Sequence, residues 1–163
     1  MRSRFVSFLL IVMLCLACGD ESSTSSAANT DNPQDACAAV AANELCVIVQ
    51  VPDDLPAVPQ QVSIHFFESL PPLGPPNHFG PELKGDDEAL AQYQPGASFA
   101  VTIPVPETGE MFLYGALYMD GGGAQTWQPV ANVDYTGSSS APIQFTGEPI
   151  IIEAPLTFSL VTD

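Results

Sequence analysis

Cationic side chains are almost missing from this chain. Of its 163 residues only three are Lys or Arg, against 19 Asp and Glu, and Arg2 and Arg4 stand at the very start. Past residue 17, Lys84 alone faces all the carboxylates. Nucleic-acid binding relies on Lys and Arg to neutralise phosphates, and bidentate anion recognition relies on Arg, so both functions are all but excluded and no nucleic-acid partner is expected. The chain also lacks a Gly-x-Ser-x-Gly nucleophile elbow, and its two histidines, His65 and His78, show no metal-ligand spacing to each other or to the cysteines. No window of 11 or more residues carries a helical i, i+3, i+4, i+7 stripe, which argues against a helical bundle. A single long apolar run exists, at residues 5–17, and its roughly 13 residues fall short of the ~20 that span a bilayer. What is plentiful is apolar material, 46% of the chain with only 13% charged, enough to bury the core of one domain.

The first twenty residues read as an address. Arg2 and Arg4 precede the apolar run, and Leu16-Ala17-Cys18-Gly19 follows it. The order of charged, apolar and small regions matches a secretory signal. Its end resembles the lipobox of bacterial lipoproteins, in which a small residue precedes the cysteine that is lipidated and becomes the new amino terminus. Cys18 holds that place, although Cys15 and Leu16 depart from the commonest pattern. The alternative is an ordinary cleaved signal. The resemblance implies membrane attachment through lipid on Cys18, and Gly19 in the position where Asp favours inner-membrane retention implies the outer membrane, on its periplasmic or surface face. Several acyl chains, at about 0.8 kcal/mol per buried CH₂, make such an anchor stable.

The expected division is a signal peptide over 1–17, a lipidated Ser/Thr/Asn-rich tether over 18–36 and one domain over 37–163. Residues 20–35 hold no large apolar side chain and cannot offset their ordering entropy by burial. With Cys15 removed and Cys18 lipidated, Cys37 and Cys46 remain, and an exported chain makes a disulfide between them the simplest outcome. Two buried thiols or a metal pair are the alternatives. The Ala-rich loop between these cysteines suits a helical turn before the first strand.

From residue 45 onward short apolar segments alternate with Pro and Gly breaks, which predicts an all-β domain, a sandwich of seven or eight strands. Val47, Val49 and Val51 share one face of a first strand. Val62, Ile64 and Phe66 alternate with Ser63, His65 and Phe67 in a second, and Phe99, Val101 and Ile103 with Ala100 and Thr102 in a third. Residues 111–119 are apolar on both faces and predict a central strand, with Gly115 allowing a close contact or bend. Residues 130–135, 142–145, 149–153 and 156–161 supply the remaining strands. Prolines 52, 56, 59, 104, 106, 142, 149 and 155 are expected at strand ends, where the missing N–H breaks no ladder. Residues 69–97 are read as one long break, either functional or simply solvated.

Residues 62–68 (VSIHFFE), 104–123 (PVPETGEMFLYGALYMDGGG) and 129–137 (PVANVDYTG) together resemble the transthyretin-like, carboxypeptidase-regulatory-like β-sandwich modules of bacterial surface lipoproteins. The resemblance implies a Greek-key sandwich that displays or contacts, and no catalytic residue comes with it.

No catalytic, cofactor or metal residues are therefore assigned, and the chain is read as a non-catalytic envelope module whose partner is a protein or a glycan. The rival reading is an envelope hydrolase or carbohydrate-processing enzyme built on paired carboxylates. His65 and His78 are read as surface histidines. Asp120 and Asp134 flank one Gly-rich loop and are the residues to consider for calcium, against the plainer reading of a tight turn with solvated carboxylates. Asp86, Asp87 and Glu88 read as a solvated acidic loop. Trp127, Tyr93, Tyr135 and Phe79 sit in or beside loops, where they cover the core rim or stack on a partner. The expected contact surface is the 69–97 segment together with the turn over 120–135.

Overall fold

Apolar alternation becomes strand along most of the chain in the computed structural model, which describes residues 32–120 and 127–162. The described residues form nine strands: β1 (Glu44–Gln50), β2 (Gln61–Phe67), β3 (Glu82–Lys84), β4 (Ser98–Pro104), β5 (Gly109–Tyr118), β6 (Tyr135–Ser138), β7 (Ile143–Phe145), β8 (Ile150–Thr157) and β9 (Ser159–Leu160). They make two sheets, one ordered β4-β1-β8 and the other β3-β2-β5-β6-β9, with β7 paired to the start of β5. The protein is an all-β sandwich. β3, the one strand with no counterpart among the expected segments, is a three-residue piece with no readable alternation.

Period-two patterning sets which faces meet. Leu45, Val47 and Val49 on β1 share a face with their β4 partners Ile103, Val101 and Phe99. Val62, Ile64 and Phe66 on β2 share a face with Leu117, Gly115 and Leu113 on β5. These two faces close on each other with Phe145, Leu156 and Phe158 to form the core. Gly115 is the close approach that the sequence suggests: a Cβ there would stand 2.9 Å from the Phe158 ring and 3.1 Å from Leu156. A side chain at 115 would have to displace the Phe158 ring and the Leu156 methyl group that fill this space.

Several expectations need correction. Residues 130–134 form a turn, and the strand starts only at Tyr135, because the Asp134 side chain bonds backbone N–H groups that a ladder would otherwise use. Residues 150–157 make one strand, with Pro155 inside it. β8 runs parallel to β1, and the register slips between Ile152 opposite Val47 and Leu156 opposite Val49. Pro155 lies in that bulge, where a missing N–H removes no ladder bond. At the amino end, helix α1 (Pro33–Ala36) starts inside the stretch read as tether, followed by a 3₁₀ turn over Cys37–Ala39. Asn32 caps it by accepting from the Gln34 N–H at 3.2 Å, and Pro33 takes the first helical position. Cys37 and Cys46 are joined in a disulfide with Cα atoms 5.6 Å apart, which ties this turn to the outer face of β1. Cys18, the signal over 1–17 and the tether as far as residue 31 lie outside the described residues, as do Gly121, Gly122 and Gly123.

Residues 69–97 are not one open loop. They contain β3, a 3₁₀ turn over Glu88–Gln92 capped by Asp87, and two core side chains, Leu90 and Tyr93. No helix among the described residues is long and apolar enough to cross a membrane.

Candidate functional site

The chain leaves β2 at Phe67, turns through residues 68–76 and returns along the edge of the same strand. The return is held by backbone bonds, Phe66 N–H to the His78 carbonyl at 2.9 Å and Ile64 N–H to the Pro81 carbonyl at 3.0 Å, before β3 takes over the pairing. Residues 77–81 thus act as a strap over an edge that would otherwise be open. At its base the Glu68 N–H donates to Asn77 Oδ1 at 2.9 Å, and Asn77 N–H donates to the Phe66 carbonyl at 2.9 Å. Between these ties lies a proline-rich tip with Pro71, Pro72, Pro75 and Pro76. Proline carries no N–H and cannot extend a sheet, so the tip stays out of the ladder. Leu73 at its apex is 88% exposed and Phe79 on the strap 61%.

His65 corrects the reading of a surface histidine. Its position on β2 does face away from the core, but the strap lies over it and leaves the residue 1% exposed. The Gly80 N–H donates to His65 Nδ1 at 3.2 Å, and the Phe79 ring meets the imidazole edge-on at 5.4 Å. Burial lowers the His65 pKa from its ordinary value, while Glu82 and a hydrogen bond with the Ile64 backbone pull the other way. His78 is half-buried, with Nε2 3.1 Å from the Pro104 carbonyl on β4.

Around His65 the outward face of the larger sheet is polar and aromatic. Tyr114 lies opposite it on β5, Tyr118 is hydrogen-bonded to Ser63, and Gln61 Nε2 donates to Glu82 Oε1 at 3.1 Å. Lys84 pairs with the same carboxylate at 3.4 Å. Burial pushes the Tyr114 phenol up to about 12, against a hydrogen bond with Thr136 that lowers it. Burial raises Tyr118 and Tyr93 as well. Sequence reading missed this cluster because it took β5 as uniformly apolar. The two hydroxyls four residues apart on one strand were the available signal.

The residues considered for calcium are not brought together as free ligands. Asp134 is fully buried, with Oδ1 accepting from Met119 N–H at 3.0 Å and Oδ2 from Val130 N–H at 2.7 Å, while Asp120 is exposed. Among the described residues no group of three or more His, Cys, Asp or Glu converges on a point. A hollow lined by Val58, Pro59, Gln60, Gln61, Lys84, Gly85 and Leu90 contains no carboxylate, so paired-carboxylate chemistry has no footing in it. Of the loop aromatics, Tyr93 and Tyr135 are buried, Trp127 is half-buried, and Phe79 stands out. Comparison with protein-family models, with curated proteins and with solved structures finds no match to this chain.

Proposed function

We propose that this chain is a lipid-anchored module of a bacterial envelope, attached through Cys18 at the outer membrane, whose transthyretin-like Greek-key sandwich acts by contact with an envelope protein or glycan instead of by catalysis. The observation that carries the reading is the tip over residues 68–76, with Leu73 88% exposed at its apex. An apolar side chain held out on a braced, proline-stiffened turn loses little freedom on binding, which is the condition under which a small contact gives useful affinity. The acidic balance of the chain favours a neutral or basic partner. The resemblance to modules of surface lipoproteins supports the same reading and supplies no catalytic residue.

The test places a photo-crosslinking residue at position 73 in the anchored protein in its envelope, with position 157 on β8 as the control. A discrete adduct from 73 alone, lost on shortening the tip to a Gly-Ser turn, supports contact through the tip. No adduct at 73, or equal adducts from both positions, overturns it.

A further inference from the structure

The two histidines fasten the same strap through opposite hydrogen-bond roles, His65 as acceptor and His78 as donor. A backbone N–H can only donate, so Gly80 N–H at 3.2 Å requires a lone pair on His65 Nδ1 and places that ring's hydrogen on Nε2. A carbonyl can only accept, so the contact of 3.1 Å between His78 Nε2 and the Pro104 oxygen requires a hydrogen on Nε2. Protonation of His78 leaves its bond intact. Protonation of His65 from solvent puts an N–H on Nδ1 facing the Gly80 N–H, and the bond between them is lost.

We infer that the Phe79–Gly80 corner of the strap is a pH-sensitive catch: a proton on His65 lifts it from β2, while Asn77, His78 and Pro81 stay tied by backbone bonds. The consequence for function rests on the contact reading above, since Phe79 adjoins the tip and its ring is freed when the corner lifts.

The surroundings decide the direction. From the strap, His65 meets Phe79 and Gly80, with His78 one residue before Phe79. From β3 it feels Glu82, whose charge favours the imidazolium but is shared with Lys84 and Gln61. From β5 it lies in register with Tyr114, and the Tyr118 and Ser63 hydroxyls occupy the same face. Neither tyrosine carries charge near neutral pH, so Glu82 is the one anion among these groups. Burial at 1% exposure is the larger cause and opposes the imidazolium, which Glu82 and the Ile64 backbone bond favour, so opening the layer over the ring relieves the protonated state. Gly80 suits a corner that must sit this close, because a Cβ there would strike the Ile64 carbonyl.

The experiment follows amide exchange of the full chain between pH 8 and 5, without any partner and corrected for the intrinsic rate. The Gly80 amide should lose at least about tenfold protection on acidification, while Ile64 and Phe66 keep theirs. His65→Asn, whose amide oxygen can accept in place of Nδ1 and does not titrate, should hold Gly80 protection constant, and His78→Gln should leave the response in place. Constant Gly80 protection in the wild type, equal loss in His65→Asn, or simultaneous loss at Ile64 and Phe66 overturns the inference. Should His65→Asn not fold, the ¹⁵N shift of Nδ1 in the wild type decides: its titration midpoint must coincide with that of the Gly80 amide, and a mismatch overturns the catch. The readout needs no partner, so a failed crosslink at position 73 leaves this result standing, and the reverse also holds.

Discussion

The carboxylate of Asp134 accepts the backbone N–H of Met119 at 3.0 Å and so ties the start of β6 to the end of β5. Its second oxygen accepts from Val130 at 2.7 Å, and the residue is fully buried. Removing the acceptor takes the carboxylate partner from two part-buried backbone donors, Met119 N–H and Val130 N–H. Hydrogen bonds to a charged group contribute roughly 1.5–3 kcal/mol, so Asp134→Ala should lower the unfolding free energy by about 3 kcal/mol in urea. Asp134→Asn should fall between, since an amide accepts through one atom only. A loss below about 1 kcal/mol for the alanine variant would show the turn to be held by other bonds.

The long segment after β2 divides into a tip and a structural part, which mutation can separate. Replacing residues 70–76 with a short Gly-Ser turn should shift the melting temperature by no more than a few degrees, because none of the bonds closing the strap lies inside it. Leu90→Ala should cost about 2–4 kcal/mol, since Leu90 is 6% exposed and belongs to the core. A deletion reaching from 70 to 97 would remove Leu90 and Tyr93 together and should leave no folded domain. Thermal scans of the three variants test this directly, and an intact transition in the longest deletion would contradict the placement of Leu90 and Tyr93.

What the sequence disclosed depended on whether the cause was local. The faces of β1, β2, β4 and β5 follow from alternation within each strand, and so does the need for a small residue at 115. Outward-facing His65 was placed on the correct side of β2. Its burial comes from Gly80, fifteen positions later, and no local pattern reports such a contact. β3 has three residues and β9 two, too few to alternate. Residues 130–134 misled for the opposite reason: Val130, Val133 and Tyr135 look like strand, while the Asp134 side chain takes over the local backbone bonds. The tip was legible as a proline-rich break, but where the break ends and the core resumes was set by the buried side chains of Leu90 and Tyr93.

Breaking the Cys37–Cys46 link should weaken the domain modestly. The closed loop is short, with a sequence separation of 9, and chain entropy assigns such a loop about 2–3 kcal/mol. A Cys37→Ser and Cys46→Ser double variant should therefore stay folded with a lower urea midpoint. Non-reducing peptide mapping of the wild type should yield one linked peptide pair, and two freely alkylated thiols in protein purified without reductant would refute the pairing.

Lipidation at Cys18 is testable by phase partition. The wild type should enter the detergent phase and give an acylated amino-terminal peptide by mass spectrometry, while Cys18→Ser should move to the aqueous phase. A serine variant that still partitions into detergent would exclude lipid on Cys18 as the anchor.

The pH profile of stability should fall on both sides for separate reasons. His65 is shifted down in the folded state, first by burial, so between its ordinary value of 6.5 and the lowered folded value the unfolded chain binds the extra proton more readily. Its contribution is full above 6.5 and shrinks as the pH drops from there. Tyr114 is shifted up to about 12, also by burial, so above its ordinary value of 10.0 the unfolded chain releases the proton first. That contribution is full below 10 and is lost as the pH climbs toward 12. Tyr118 and Tyr93 act in the same sense. Urea midpoints should therefore form a plateau between about pH 7 and 10. His65→Asn should flatten the acid side while leaving the alkaline side unchanged, and Tyr114→Phe should soften only the alkaline side. If His65→Asn left the acid limb as steep as in the wild type, the loss would belong to carboxylates elsewhere, and His65 would have no part in it.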